Sequence, residues 1–153
     1  MSSKKVLILY YSGSGNTKKM ANVIGEAMKS SAINVTVEDA GKFDISSLPN
    51  YDSIVLGSPT YFSNVAWQVK KVIDESIVHY SSGKLKGKVA GIFTSAGTSR
   101  DGKSCLKMLK VALGFHHGMK VVEGILRVDG ESEKEAEKRC QEYGKRLVKE
   151  IDK

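Results

Sequence analysis

The sequence predicts an α/β protein: a three-layer doubly wound sandwich with a five-stranded parallel sheet in the order 2-1-3-4-5. Three observations support this prediction. Short apolar runs rich in Val and Ile alternate along the chain with longer segments that repeat apolar residues at helical spacing. Strands separated by helices need crossover connections, which produce a parallel sheet covered on both faces. Five strands joined by right-handed crossovers fit this strand order.

Five strands are predicted from the apolar runs. Residues 6–10 are continuously apolar, which is typical of a strand buried on both faces. Residues 33–38 alternate apolar and polar side chains, which is typical of a strand nearer the sheet edge. The other strands are expected at 53–57, 88–95 and 119–128, with Gly124 as a bulge or stop in the last one.

Four helices are predicted from apolar residues three or four positions apart. They are expected at residues 16–29, 66–78, 104–114 and 131–151. The first turn of the last helix carries three glutamates, which complement the positive end of a helix dipole. Residues 39–52 contain Gly41, Pro49 and Asn50 and are expected to form a loop.

Length and composition predict one domain over residues 1–153. Of these residues 41% are hydrophobic and 27% are charged, which excludes disordered and fibrous classes. The longest apolar run is too short to cross a membrane, and the first residues lack the features of a signal peptide. Cys105 and Cys140 lie far apart, so neither a disulfide framework nor a metal site is predicted. We therefore expect a cytoplasmic protein.

Positive charge is concentrated in one part of the chain. The net charge is +7, and the segment from Lys84 to Lys120 holds eight basic residues and one acidic residue, Asp101. Such a basic block attracts an acidic protein, an anionic cofactor or nucleic acid, or it is merely a solvated face. Nucleic acid is disfavoured, because the block lacks interleaved aromatic residues and a recognised reading helix.

The predicted strand order also places a ligand site. Ligands of such sheets bind beyond the carboxyl ends of the strands, here between the first and third strands. The loop after the first strand contains Ser12, Gly13, Ser14, Gly15, Asn16 and Thr17. Its glycines permit close backbone approach, and the following helix start presents N–H groups to an anion. No Lys or Arg lies within the loop, so it favours a phosphate monoester held by neutral donors; the alternative is a polar helix cap.

Several motifs carry a resemblance to a known family. Ser12-x-Ser14-Gly15-x-Thr17 resembles the flavodoxin fingerprint, a loop that grips the ribityl phosphate of FMN. Three further segments resemble motifs of the tryptophan-repressor-binding-protein type of flavodoxin-like quinone reductase: residues 57–64, 95–98 and 116–119. The sequence is thus identified as a flavodoxin-like FMN protein over nearly its whole length.

The resemblance implies residues that bind FMN. In addition to the first loop, they are Pro59, Thr60, Tyr61, Phe62, Ser63, Asn64, Ser95, Ala96, Gly97, Thr98 and Gly102. Tyr61 is expected to stack on the isoalloxazine ring. Phe62 and Trp67 are expected to pack either on the ring or against neighbouring loops or a second subunit. His117 is expected to act at the flavin or a quinone only in a quinone reductase; its alternative role is in an ordinary helix ending.

The sequence leaves two functions open. The favoured one is an electron carrier between redox proteins, with an acidic ferredoxin as one candidate partner of the basic Lys84–Lys120 region. The alternative is an NAD(P)H-dependent quinone oxidoreductase. Quinone reductases of the type named above are longer, and the segments that they insert near the third strand and after the fifth are missing here. Ser63 also replaces a motif glycine. Association of two chains is left open.

A third function, nucleotide binding, follows from one further pattern. Residues 97–104 fit G-x-x-x-x-G-K-[ST], which predicts ATP or GTP binding by Lys103 and Ser104. A loop of this kind normally follows an early strand, whereas only one strand and one long helix are predicted after this segment. The same segment borders the expected flavin site. Nucleotide binding is therefore disfavoured.

Overall fold

The computed structural model describes residues 3–153, so the first two residues of the predicted domain lie outside the described part. The strands are β1 (Lys4–Tyr10), β2 (Ile33–Asp39), β3 (Ser53–Tyr61), β4 (Asn64–Val65), β5 (Val89–Ala96), β6 (Lys120–Val121) and β7 (Ile125–Val128). The helices are α1 (Asn16–Met28), α2 (Trp67–Glu75), α3 (Ser99–Lys110) and α4 (Glu133–Ile151). Among these residues, no helix is both long and apolar enough to span a membrane.

The predicted fold class is confirmed, although residues 3–153 form a sheet of seven strands rather than five. The parallel order is β2-β1-β3-β5, followed by β6 and β7, which pair with opposite ends of β5. The predicted last strand is thus split in two. At the break, a Cβ on Gly124 would lie 2.7 Å from the Ile92 carbonyl oxygen, so only glycine fits there. The remaining strand, β4, has two residues and pairs antiparallel with the end of β3.

The two faces of the sheet carry separate hydrophobic clusters. Successive side chains of β1 point to opposite faces, so Val6 and Ile8 pack with α1 and α4. Leu7 and Leu9 pack with α2 and α3. All four side chains are completely buried, which accounts for the continuous apolar run in the sequence.

A tyrosine of α4 completes the hydrogen bonding where the last strand is split. The Tyr143 hydroxyl accepts a hydrogen bond from the Ile92 N–H (2.9 Å) and donates one to the Val122 carbonyl (3.0 Å). The Tyr143 side chain is completely buried, and this burial raises the pKa of its hydroxyl to about 12. The hydroxyl therefore takes the place of a missing rung of the sheet.

α2 and α3 differ most from their predicted bounds, whereas α1 and α4 differ by one or two residues at one end. α3 begins at Ser99, five residues before the predicted start, because Thr98 Oγ1 accepts a hydrogen bond from the Asp101 N–H (3.2 Å) and caps the helix. α3 then continues beyond Lys110 as a π-helical turn, Val111–His116. α2 ends at Glu75 and is followed by a 3₁₀ turn, Ser76–His79.

Candidate functional site

Three of the predicted segments meet at the carboxyl edge of the sheet. In the register of the central strands, Tyr10 pairs with Gly57 and Pro59 pairs with Ser95. Residues 12–17, 59–64 and 95–98 therefore emerge side by side. We call them the first, second and third segments.

Ser12 organises the first segment. Its Oγ accepts hydrogen bonds from the N–H groups of Gly15 (3.1 Å) and Lys18 (3.2 Å), which leaves its own hydroxyl proton free for another acceptor. Gly15 has a φ of 106°, a conformation that favours glycine. Within residues 3–153, the N–H groups of Asn16 and Thr17 make no hydrogen bond. The helix start thus presents free donors to an anion.

Thr17 links the first segment to the third. Its side chain is 1% exposed, and its Oγ1 lies 2.9 Å from Ser95 Oγ. The second segment adjoins them, since the Tyr61 hydroxyl packs directly against Gly13. These contacts bring hydroxyl groups from the ends of three strands to one place.

A hydroxyl network fixes the base of the second segment. Thr94 Oγ1 donates to the Ser58 carbonyl (2.7 Å), so the 2.7 Å contact with Thr60 Oγ1 uses the Thr60 proton. Ser58 Oγ in turn accepts from the Ala66 N–H (2.9 Å) just before α2. The second segment therefore rises from a rigid, hydrogen-bonded base.

The tip of the second segment is a two-residue turn in an unusual conformation. Phe62 and Ser63 have φ values of 51° and 65°, and Tyr61 pairs with Asn64 across them. Such turns prefer Asn or Gly at both positions. Ser63 Oγ donates to Asp101 Oδ1 (2.8 Å), which lowers the pKa of that carboxyl, and nearby Arg100 adds to the effect. A side chain of α3 thus holds the turn.

Phe62→Asn is expected to raise the free energy of unfolding by about 1 kcal/mol, because the left-handed conformation costs most L residues about 1–2 kcal/mol and costs Asn less. The Phe62 ring is fully exposed, so no packing is lost. Urea unfolding of the apoprotein measures the change. The control, Phe62→Ala, removes the ring but keeps the strained backbone. If both variants gain equally, the backbone conformation is not the cause.

The aromatic residues near the site differ in exposure. Tyr61 is 45% exposed and borders the first segment through its hydroxyl. Trp67, the first residue of α2, is 70% exposed, so it packs little against neighbouring loops. Stacking of Tyr61 on the flavin ring stays a prediction.

Gly102 lies in α3, outside the three segments, and its contact with FMN stays a prediction. It lies in the first turn of α3, and its N–H donates to the Thr98 carbonyl (3.1 Å). A Cβ there would overlap the Leu126 side chain. Gly102 is therefore glycine because α3 packs closely on β7.

His117 also lies elsewhere, whereas the quinone-reductase alternative expected it at the flavin or a quinone. It precedes β6, where Lys120 pairs with Val89 at the start of β5, whereas the third segment lies at the end of β5. With a rise of about 3.3 Å per residue, the two places are roughly 20 Å apart. His117 Nε2 lies 2.8 Å from Ser76 Oγ, and burial lowers the pKa of the imidazole.

The segment that predicted nucleotide binding does not form a loop; most of it is helical. Only Gly97 and Thr98 of the Gly97–Ser104 pattern precede α3, and the rest is helix. Lys103 is exposed on the outer face of that helix. A backbone cradle for a triphosphate is therefore not formed by this segment.

The contact of Asp101 with the second segment is not predicted from the sequence. Thr98 and Asp101 form a Thr-x-x-Asp pattern, which is close to the capping box that marks a helix start. That pattern indicates the true start of α3. It does not indicate the hydrogen bond from Ser63, because the two residues are brought together only by the fold.

Comparison with known proteins agrees with this geometry. A flavodoxin-domain family matches residues 7–121, and the chain belongs to this family. A curated relative from Rhizobium rhizogenes, named NAD(P)H dehydrogenase (quinone), is 35% identical over 138 residues, covering 77% of this chain and 69% of the relative. The crystal structure of a flavodoxin, WrbA-like protein from Agrobacterium tumefaciens is also similar, with a TM-score of 0.82, 28% identity and 98% coverage of both chains. An archaeal flavodoxin has a TM-score of 0.82 at 26% identity, with 97% of this chain and 99% of that chain covered.

Membership of the flavodoxin family makes FMN the cofactor of this chain. The donors on the first segment fit the phosphate end of FMN. The segment offers the free N–H groups of Asn16 and Thr17 and the hydroxyl proton of Ser12, without a cation among residues 12–17. Neutral donors at a helix start are a common means of binding a phosphate group.

Proposed function

We propose that the chain is an electron carrier that binds FMN between the three segments and exchanges electrons with an acidic redox protein. Bound FMN supplies the chemistry, since flavin takes up and releases one or two electrons. Residues 12–17 would hold the phosphate. The second and third segments, 59–64 and 95–98, would enclose the ring, and no side chain needs to act as acid, base or nucleophile.

A cationic face on α3 is the observation that supports this function. Its members share one side of the helix and are all exposed: Arg100, Lys103, Lys107 and Lys110. Of these four, only Arg100 pairs with an acidic side chain among residues 3–153. The face begins next to the third segment, so it lies beside the proposed flavin. Positive charge on one protein and negative charge on its partner speed the encounter between them.

The remaining cations of the basic region lie at the other edge of the sheet. Lys86, Lys88 and Lys120 border a cavity beside Lys4 and Lys153. Lys88 Nζ donates to the carbonyls of Pro49 (2.8 Å) and Tyr51 (2.6 Å). Lys88 therefore also holds the loop that precedes β3. The predicted Lys84–Lys120 surface is thus two surfaces, and we assign the partner to the one on α3.

Neutralising Arg100 and Lys103 together is the test of the proposal. Each cation at about 10 Å in an effective dielectric of about 20 stabilises added negative charge by roughly 1.7 kcal/mol, or ~70 mV before salt screening. We expect the second one-electron potential of FMN to become more negative by tens of millivolts. We also expect slower exchange with an acidic ferredoxin at low salt.

The matched control is Lys86→Ala with Lys120→Ala, which removes the same charge at the far edge. This pair is expected to leave both the potential and the exchange rate nearly unchanged. A potential that responds equally to the two double variants, or an exchange rate indifferent to ionic strength, contradicts the proposal.

An NAD(P)H-dependent quinone oxidoreductase is the second candidate. It is supported by the names of two relatives, which are 35% and 33% identical to this chain. Steady-state oxidation of NADPH by a quinone, dependent on bound FMN, favours this activity. Failure to react with either nicotinamide favours the carrier. His117 is not assigned a role within one chain, because it lies at the far edge of the sheet.

A further inference from the structure

A groove opens at the edge of the molecule opposite the three segments. It lies between the end of α2 and the end of α3 and has a volume of about 680 Å³. Its lining is mainly apolar and includes Ile73, Ile77, Tyr80, Met108, Val111 and Ala112. The proposed flavin site makes no use of it.

Large apolar side chains surround this groove in exposed positions. They are Phe115 (82% exposed), Ile77 (68%), Val78 (63%) and Tyr80 (49%). The Phe115 ring lies 5.1 Å from the His116 ring, which lies 6.4 Å from the Tyr80 ring, so the residues form one patch. We call the groove and this patch the groove face. The patch exposes on the order of 500 Å², near the upper limit for a monomer.

The π-helical turn at the end of α3 creates the shape of this face. The His117 N–H donates to the Ala112 carbonyl five residues earlier (3.2 Å), which widens the turn. His117 then points inward to Ser76, whereas Phe115 remains outside. The result is a projecting ring beside a hollow of apolar side chains.

We propose that the groove face binds a second copy of this chain, with Phe115 of each chain in the groove of the other. In a two-fold symmetric dimer the same patch serves both partners, so a projection and a hollow must lie together on it. Here they do. The patch and the groove lining together approach the roughly 800 Å² per partner of a standard interface.

Electrostatics permit contact at the centre of this face. Lys70, the cation that borders the groove, pairs with Asp74 on the same helix (2.6 Å). His117 Nε2 forms a hydrogen bond with Ser76 Oγ. Burial lowers the pKa of the imidazole, so the ring is neutral near pH 7.

A second copy of the chain would cover more of the groove face than a small molecule or an acidic partner. A small apolar molecule fills the groove but leaves Val78 and Phe115 in water. An acidic partner is drawn to the cationic face of α3, whereas the centre of the groove face carries no unpaired cation among the residues that border the groove. The apolar patch therefore favours self-association over both.

Sedimentation equilibrium of the FMN-loaded protein tests the proposal with Phe115→Glu. We expect the natural sequence to form dimers and Phe115→Glu to weaken the association at least about 30-fold. Ile77→Glu, on the groove side, is expected to do the same. Both positions are exposed, so the fold is retained, which circular dichroism verifies.

The control is Gln141→Glu, which adds a negative charge at an exposed position of α4, on the opposite face of the sheet, and is expected to leave the dimer intact. A monomer at all concentrations for the natural sequence overturns the proposal. Dimers of unchanged strength in both groove-face variants also overturn it. Neither result bears on electron transfer, because the mass measurement does not depend on the redox partner.

Discussion

Thr17→Ala is expected to weaken FMN binding by roughly 30- to 100-fold. The Thr17 hydroxyl is buried at the first segment, 2.9 Å from Ser95 Oγ. Its removal takes away the proposed donor to the phosphate and leaves the Ser95 hydroxyl without its partner. A hydrogen bond to a charged group contributes about 1.5–3 kcal/mol, and its loss inside a buried site lowers the binding free energy by that amount. Quenching of flavin fluorescence on titration with apoprotein measures the affinity.

Lys103→Ala is the control for this experiment and is expected to change FMN affinity by less than about threefold. Lys103 is exposed on α3, where a single charge contributes little to binding. Thr17→Ser, which keeps the hydroxyl, is expected to retain most of the affinity. A larger loss with Lys103→Ala than with Thr17→Ala would assign the phosphate to the start of α3 instead.

Gly57→Val is expected to lower the free energy of unfolding by about 3 kcal/mol or more. Gly57 lies in β3 and pairs with Phe93 of β5, whose ring is completely buried. A Cβ at position 57 would approach three ring carbons of Phe93 closer than 3.0 Å. The ring has no room to move, because β3 and β5 lie at the centre of the sheet. Urea unfolding of the apoprotein gives the value.

Two further variants separate this steric effect from a general intolerance of glycine replacement. Gly97→Ala is expected to be neutral within about 0.5 kcal/mol, because the nearest atom to its Cβ, Asp129 Oδ2, is 3.8 Å away. Phe93→Leu combined with Gly57→Ala is expected to recover part of the stability lost in Gly57→Ala alone. Additive losses in that pair would show that the ring is not the obstacle.

Much of the fold follows from local patterns in the chain. The apolar run of β1 has no polar side because helices cover both faces of the sheet, and that burial indicates a central strand. The hydroxyl-rich and glycine-rich loops follow strands that are neighbours in the predicted order, so the position of the site could be inferred as well. The proposed phosphate loop is a short contiguous segment, residues 12–17, which a sequence displays directly.

The features that were not predicted depend on distant residues. The early start of α3 buries Gly102 against Leu126, a contact that no local pattern contains. His117 appears in a motif of the family, but the pairing of β6 with the first residues of β5 carries it to the far edge of the sheet. Likewise, the left-handed conformation of Phe62 and Ser63 contradicts their local preferences and is held by Asp101.

Some expectations stay predictions. They include the single domain, the cytoplasmic location, the individual FMN-binding residues and the preference for electron transfer over quinone reduction. The last of these depends on redox potentials and on access to the flavin ring. Those properties arise from the summed field of the protein, to which cations as far apart in the chain as Lys103 and Lys18 contribute.

The hydroxyl of Tyr143 has a consequence for synthesis on the ribosome. A nascent chain that ends before this residue contains every strand, but the Ile92 N–H and the Val122 carbonyl lack the group that bridges them. The outer margin of the sheet is therefore completed only after α4 has left the exit tunnel and docked. Until then, these two main-chain groups lack their partner and can pair with another unfolded chain.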